Sequence, residues 1–207
     1  MNEAPDAYSQ AHREYVARRE MTLEERLAEE RILFLWGPIT ANVAGGVIMR
    51  LLELQAKQPN RDINLYINSP GGSVDDTLAV YDTMQFLSCD VATYCVGQAA
   101  SGAALILAAG AKGKRYCLPH SKIMVHQPWG GVTGQAADIQ IQAEEILKAK
   151  RLLNELLAEH TGRDVKLIEQ ETERDRYLSP EEAKAYGIVD EIVSQSPEEK
   201  AKQKAKK

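Results

Sequence analysis

No stretch of this 207-residue chain is apolar enough to cross a membrane as a helix: the longest apolar run, near Ala99 to Ala109, falls well short of a span. The opening residues, MNEAPDAYSQAHREYVARRE, lack the apolar core of a secretion signal. Cysteine is scarce. Cys89, Cys95 and Cys117 are odd in number, lack CxxC spacing and adjoin apolar runs, so they read as buried thiols suited to a reducing compartment. A large basic block is also missing: 25 Lys and Arg stand against 30 Asp and Glu, a net charge of -5, which argues against a nucleic-acid partner. There is no G-x-x-x-x-G-K-[ST] phosphate loop, which excludes ATP hydrolysis by that route, and no internal repeat. A soluble, unsecreted, cytoplasmic protein without a membrane partner is expected.

The length and the 44% hydrophobic content suit one substantial core. Residues 1–20 are polar and mixed in charge, and 196–207 form a lysine-rich tail; one domain is expected over 21–195. Thr22 and Glu25 form a capping-box signature for a short helix through MTLEERLAEER. Short apolar runs then alternate with helical stretches. Strands are expected at Ile32 to Trp36, Ile63 to Ile67, Val91 to Val96, Lys114 to Leu118 and Lys122 to Val125, and helices at Ala41 to Gln58, Ser73 to Leu87 and Ser101 to Ala109. Repeated βα units imply a parallel sheet in an α/β fold. Gln135 to Glu159 carries Ile139, Ala143, Ile146, Leu153 and Leu157 near helical spacing, too long to cover only the sheet beside it, so it is expected to project toward another subunit. Ser179, Pro180 and Glu182 start a last helix, Gly187 ends it, and Ile188 to Val193 is expected as a strand.

Within GQAASGAALILAAG, Ser101 follows an expected strand and opens a helix among small neighbours, where unpaired N–H groups and the positive end of the helix dipole favour a developing oxyanion. The plain alternative is that Ser101 only caps the helix, since G-x-S-x-G is not matched. Asn68-Ser69-Pro70-Gly71-Gly72 is either an ordinary strand-to-helix turn or a pair of backbone donors beside an extended peptide. His126 ends the apolar run KIMV and opens Gln127, Pro128, Trp129, Gly130 and Gly131, a placement suited to a general base or to a structural histidine. His12 and His160 lie in polar contexts with no companion motif. An orienting acid is to be sought in ETERDRYLS among Glu171, Glu173 and Asp175, although the charge pattern alone reads as a solvated helix face.

NLYINSPGGS, YDTMQF, GQAASGAALILAAGAKGKRYCLPHSKIMVHQPWGG and ETERDRYLSPEEAKAYGIVDEIV together resemble the proteolytic subunit of the Clp protease, over about Ile32 to Val193. The resemblance implies a serine endopeptidase that cuts unfolded polypeptides, with Ser101 as nucleophile, His126 as base, Asp175 as the acid orienting it, and Gly72 and Gly102 as oxyanion donors. No metal or organic cofactor is required by that chemistry. It also implies a crotonase-like fold, two stacked heptameric rings, and a partner AAA+ ATPase unfoldase such as ClpX, ClpA or ClpC. Tyr66, Phe86, Tyr94, Val96, Tyr116 and Leu118 match the unfoldase-docking cleft, with strand core as the plain alternative. Gly130, Gly131 and the long helix match ring-joining parts, and Arg174 a ring contact.

Two departures stand out. The family usually has Met and then Gly after the nucleophile, where this chain has Gly102 and Ala103, and residues 1–20 do not match the usual pore-lining segment. Both give weight to a rival, a catalytically weak paralogue that completes a mixed ring. A crotonase-type acyl-CoA enzyme is a second rival, but one that gives no reason for Ser101, His126 and Asp175.

Overall fold

In a computed structural model of the chain, the structure describes residues 15, 21–128, 130–131 and 133–194. The expected polar segment 1–20 (residue 15 apart), the lysine-rich tail 196–207, His12 and Trp129 lie outside the described residues. In chain order the elements are α1 (Leu23–Glu29), β1 (Ile32–Trp36), α2 (Ala41–Lys57), β2 (Ile63–Ser69), α3 (Val74–Phe86), β3 (Val91–Ala100) and α4 (Gly102–Ala108). They continue with β4 (Arg115–Cys117), β5 (Lys122–Val125), α5 (Ala136–Thr161), α6 (Val165–Glu171), β6 (Arg176–Leu178), α7 (Pro180–Tyr186) and β7 (Glu191–Ile192).

The helix starts follow from their caps. The Thr22 and Ser179 side chains each accept from the N–H three residues on, and Glu25 and Glu182 return the bond, so both capping boxes are complete. Thr40 and Ser73 cap α2 and α3 in the same way from one side. Gly162 and Gly187 end α5 and α7 with φ of 72° and 93°, the left-handed conformation that glycine adopts without strain.

The sheet runs β1-β2-β3-β4-β7 with every one of these neighbours parallel, as repeated βα units require. Its strands are buried through Leu35, Ile63, Leu65, Ile67 and Cys95, all fully inaccessible, against Leu51, Val80, Ile106 and Leu107 of the helices. Strand β3 does not stop at Val96 as the apolar run suggested; it continues to Ala100. Its register against β2 shifts between Ile67/Cys95 and Ser69/Ala99, and across that irregularity β3 changes neighbour, from β4 at Cys95 to β5 at Gln98. The extension consists of glycine, glutamine and alanine, which carry little strand signal of their own; the β5 ladder holds them.

Three other expectations change. The expected strand over Ile188 to Val193 shrinks to Glu191–Ile192, because the Ile188 and Val189 N–H groups bond back to Ala183 O and use these apolar residues to close α7. ETERDRYLS is not a helix face: α6 ends at Glu171 with Thr172 as its C-cap, and β6 begins at Arg176. Gly130 and Gly131, which the resemblance places in a glycine-rich ring-joining strand, lie outside any strand in the single subunit and are exposed. Helix α5 does project: its buried residues, Asn154, Leu157 and Ala158, all fall in its last third. No helix among the described residues is long and apolar enough to cross a membrane.

Candidate active site

The two ladders of β5 set the site. On one side Ala100 lies beside Met124 in the parallel pair with β3, and the Ser101 N–H continues it by donating to Met124 O at 2.8 Å. On the other side Val125 faces Arg176 in the antiparallel pair with β6. One residue beyond the ladder in each case come Ser101, His126 and Asp175. The His126 ring meets the carboxylate, Nδ1 to Oδ1 3.0 Å. A carboxylate only accepts, so Nδ1 carries the proton and Nε2 of the neutral ring presents its lone pair. The stretch that carries Asp175 is tied down by three bonds: Gln127 N–H to Thr172 O at 2.8 Å, Gln127 Nε2 to Glu173 O at 3.0 Å, and the Lys150–Glu173 ion pair at 3.0 Å. The last of these holds the Glu173 carboxyl below its ordinary value.

Ser101 sits at φ 56°, ψ −127°, a backbone conformation that costs a non-glycine residue free energy and persists only where the surroundings impose it. Its side chain makes no capping bond to α4, which removes the plain alternative of a serine serving as a helix cap. No hydrogen bond joins Ser101 Oγ to His126 among the described residues, but both line one cavity of about 100 Å³, together with Gly72, Thr77, Gly102 and Asn154. Catalytic hydrogen bonds of this kind are often long before substrate arrives.

The SPGG turn packs directly on the serine. A Cβ at Gly71 would lie 2.6 Å from Ala100 O and 2.7 Å from Ser101 Cβ, and one at Gly72 would lie 2.1 Å from Ile39 O. Gly72 forms an isolated parallel bridge with Ile39 that uses the Ile39 and Ser73 N–H groups as donors, so the Gly72 N–H takes no part in it. Gly102 is the first residue of α4, and its N–H is one of the four a helix leaves without an internal acceptor. The turn thus carries one spare donor, the Gly72 N–H, and the first residue of α4 another, the Gly102 N–H, on either side of the serine in the site.

Thr77 supplies a reason for glycine at 102. A Cβ there would meet Thr77 Oγ1 at 2.4 Å, and Thr77 is fully buried with its hydroxyl donating to Ser73 O at 2.7 Å. Neither Thr77 nor Asn154 carried a sequence signal, since each lies inside an ordinary helical stretch. His160, which has no companion motif in the sequence, lies away from this cavity: its Nε2 is 2.9 Å from the Tyr81 hydroxyl, and burial lowers its pKa.

On the outer side of the sheet Tyr66, Tyr94 and Tyr116 stack in a row, with ring centroids 4.6 and 4.8 Å apart. Phe34 extends the row at 5.9 Å from Tyr66, and Trp36 follows at 6.4 Å; both are exposed. These two were missed although ILFLW alternates in burial and places both aromatics on one face. Val96 and Leu118 are half-buried, and Phe86 is exposed at the end of α3, outside the ring stack.

The Clp protease family model matches residues 15–196. The chain is also 51% identical over 191 residues to the ATP-dependent Clp protease proteolytic subunit 1 of Rhodopirellula baltica, a match that covers 92% of this chain and 84% of that protein. With a family match over most of its length and a relative this similar, the chain belongs to the Clp protease family of serine endopeptidases.

Proposed function

We propose that the chain is the proteolytic subunit of an ATP-dependent Clp protease in which Ser101, His126 and Asp175 hydrolyse peptide bonds. One observation carries the assignment of roles: the two ladders of β5 end one residue short of Ser101, His126 and Asp175, so that Ser101 and His126 line one cavity and Asp175 lies 3.0 Å from His126 Nδ1. Ser101 Oγ attacks the peptide carbonyl as His126 Nε2 takes its proton; the C–N bond breaks and that proton leaves on the amine. Water then attacks the acyl ester, giving its proton to His126, which returns it to Ser101 Oγ as the ester bond breaks. The N–H groups of Gly72 and Gly102 receive the charge on the tetrahedral oxygen, a contribution of about 3 to 4 kcal/mol per donor in such sites.

The peptidase domain spans 21–195, between terminal segments 1–20 and 196–207, and acts in two stacked heptameric rings in the cytoplasm. Three free, buried thiols support a reducing setting; burial pushes Cys95 up to about 12 and Cys117 up to about 11. The row Tyr66, Tyr94, Tyr116, with Phe86, Val96 and Leu118 around it, receives an AAA+ unfoldase that feeds unfolded chains. Arg174 contacts the opposite ring.

Labelling with a fluorophosphonate, with the adduct placed by mass spectrometry and the particle mass recorded, tests the reading. The adduct is expected on Ser101 in a particle of about fourteen subunits, and Ser101→Ala is expected to lose the adduct and about 10⁴-fold or more of peptide hydrolysis while keeping the particle mass. An unlabelled, assembled particle would instead favour a structural subunit of a mixed ring.

A further inference from the structure

We propose that Glu171 is a positioning residue for the acid of the triad: paired with Arg163 and Arg176 over the Tyr186 ring, it clamps the base of the segment that carries Asp175. The inference rests on the reading of Asp175 as the acid that orients His126 and names what holds that acid in place.

The Asp175 carboxylate is exposed, and His126 Nδ1 is its one hydrogen-bond partner among the described residues. Its place therefore depends on the backbone of residues 172–175, which belong to no helix or strand. That segment leaves α6 at Glu171 and enters β6 at Arg176. β6 pairs with β5 through three residues, and Arg176 opposite Val125 is the end of the ladder, where fraying begins.

The side chains of the two end residues meet. Arg176 Nη1 pairs with Glu171 Oε1, so one ion pair spans the base of the segment. The other oxygen, Oε2, lies 3.5 Å from Arg163 Nη1. Arg163 is anchored on the end of α7: its Nε donates to Tyr186 O at 2.9 Å, and its guanidinium lies 4.0 Å from the Tyr186 ring centroid. The Arg176 guanidinium lies 5.3 Å from the same centroid. Tyr186 is 2% exposed, so its ring is a fixed floor for both cations. The Glu171 side chain is 18% exposed, which shields the pair from solvent more than an ordinary surface ion pair.

Two guanidinium groups thus share one ring and one carboxylate. Without the carboxylate they repel each other across the ring, Arg176 turns away, and the backbone step from Arg176 to Asp175 carries the acid off His126. The bonds from Gln127 and Lys150 act at Thr172 and Glu173, the other end of the segment, and leave the Arg176 end to Glu171. Of the three acids in ETERDRYLS, Glu173 faces Lys150, Asp175 faces His126, and Glu171 holds the frame.

The test uses the full-length protein, a short peptide substrate, and the particle mass and Tm of every variant. Glu171→Gln, of the same shape, is expected to lower kcat about tenfold with KM within about twofold and the particle mass unchanged. Arg176→Gln is expected to do the same, whereas Arg176→Lys, which keeps a cation for Glu171, is expected to stay within about threefold of wild type. Coupling separates positioning from support: in Asp175→Asn, where no carboxylate remains to be placed, adding Glu171→Gln is expected to change kcat by less than about twofold. A Glu171→Gln protein that loses Tm and keeps kcat overturns the proposal, as does one that loses the same factor in both backgrounds. Should Glu171→Gln fail to assemble, the two Arg176 variants make the comparison from the other end of the pair, and a lysine variant no better than the glutamine one overturns it. An Asp175→Asn protein as active as wild type sinks the reading of the acid itself, whereas a damaged Asp175→Asn beside an unaffected Glu171→Gln sinks the clamp alone.

Discussion

The strained backbone of Ser101 and the crowding at Gly102 are two sides of one arrangement. The turn at Gly71 and Gly72 presses against the serine from one side while Thr77 closes the space beside the next residue. Restoring the family's usual methionine by Gly102→Met therefore forces either Thr77 or the first turn of α4 to move, and the Gly102 N–H moves with it. We expect peptide hydrolysis to fall about 10²-fold to 10³-fold, the loss attached to one misplaced oxyanion donor, with most of it recovered when Thr77→Gly is added. Stopped-assay kinetics on the single and double variants check this; a Gly102→Met protein with full activity would show that the space is not limiting. Asp175, the acid proposed to orient His126, differs from the buried acid of many catalytic triads in that its side chain is 57% exposed. Solvent therefore shares the work of orienting His126, and Asp175→Asn is expected to cost about 10² to 10³ in kcat, less than the roughly 10⁴ seen where the acid is buried. Sequence pattern alone left Glu171, Glu173 and Asp175 equal; the family resemblance picked out Asp175, and the register opposite β5, which no local pattern encodes, sets it beside His126. Thr77 was illegible for the same reason, because its importance lies in which residue it faces across α3 and α4.

At the level of elements, most boundaries were readable because caps and glycines mark them: Thr22, Ser73 and Ser179 start helices where expected, and Gly187 stops one. What could not be read was the second half of β3, whose small residues carry no strand preference, and the brevity of β7, whose apolar run closes a helix instead of joining a ladder. The strand-end contact that fixes β4 was equally hidden. Asp190 accepts from the Gly113 and Arg115 N–H groups and from the Arg115 guanidinium at 2.9 and 2.5 Å, joining the start of β4 to the segment before β7. Burial acts to raise the Asp190 pKa, but the bonds from Arg115 and Gly113 outweigh it, so its carboxyl lies below the ordinary 3.8 in the folded protein. A lowered folded value means that the unfolded chain takes up the proton first. The stabilisation is therefore fully present above the unfolded pKa and is lost as pH falls through the folded one. Asp190→Asn is expected to lower Tm by about 5 °C near pH 7, with the gap to wild type closing below about pH 4. A gap that stays constant across a calorimetric pH series would place the effect in packing and not in charge.

For the molecule as a whole, the exposed first two-thirds of α5 stands in contrast to its buried end. The helix is about 39 Å long, and Ile139, Ile141 and Leu147 are exposed on it, an apolar load that a lone subunit would present to water. The same helix holds Lys150, which pairs with Glu173, while the Glu173 carbonyl accepts from Gln127 next to His126 and the residue after Arg174 is Asp175. In the proposed assembly a load placed on α5 by a facing ring would pass through Lys150 and Glu173 to Asp175, the acid proposed to orient His126. If α5 joins rings, disrupting its apolar face disturbs catalysis without touching any catalytic residue. Ile141→Glu with Leu147→Glu is expected to halve the particle mass by introducing charge where the rings meet. It is also expected to lower kcat on a short peptide by about tenfold or more while KM changes little, since the loss falls on base orientation and not on substrate binding. Half-mass particles that retain full kcat would separate assembly from catalysis and leave the Lys150–Glu173 pair a local support only; particles that keep their mass would move the ring contact off this face of α5.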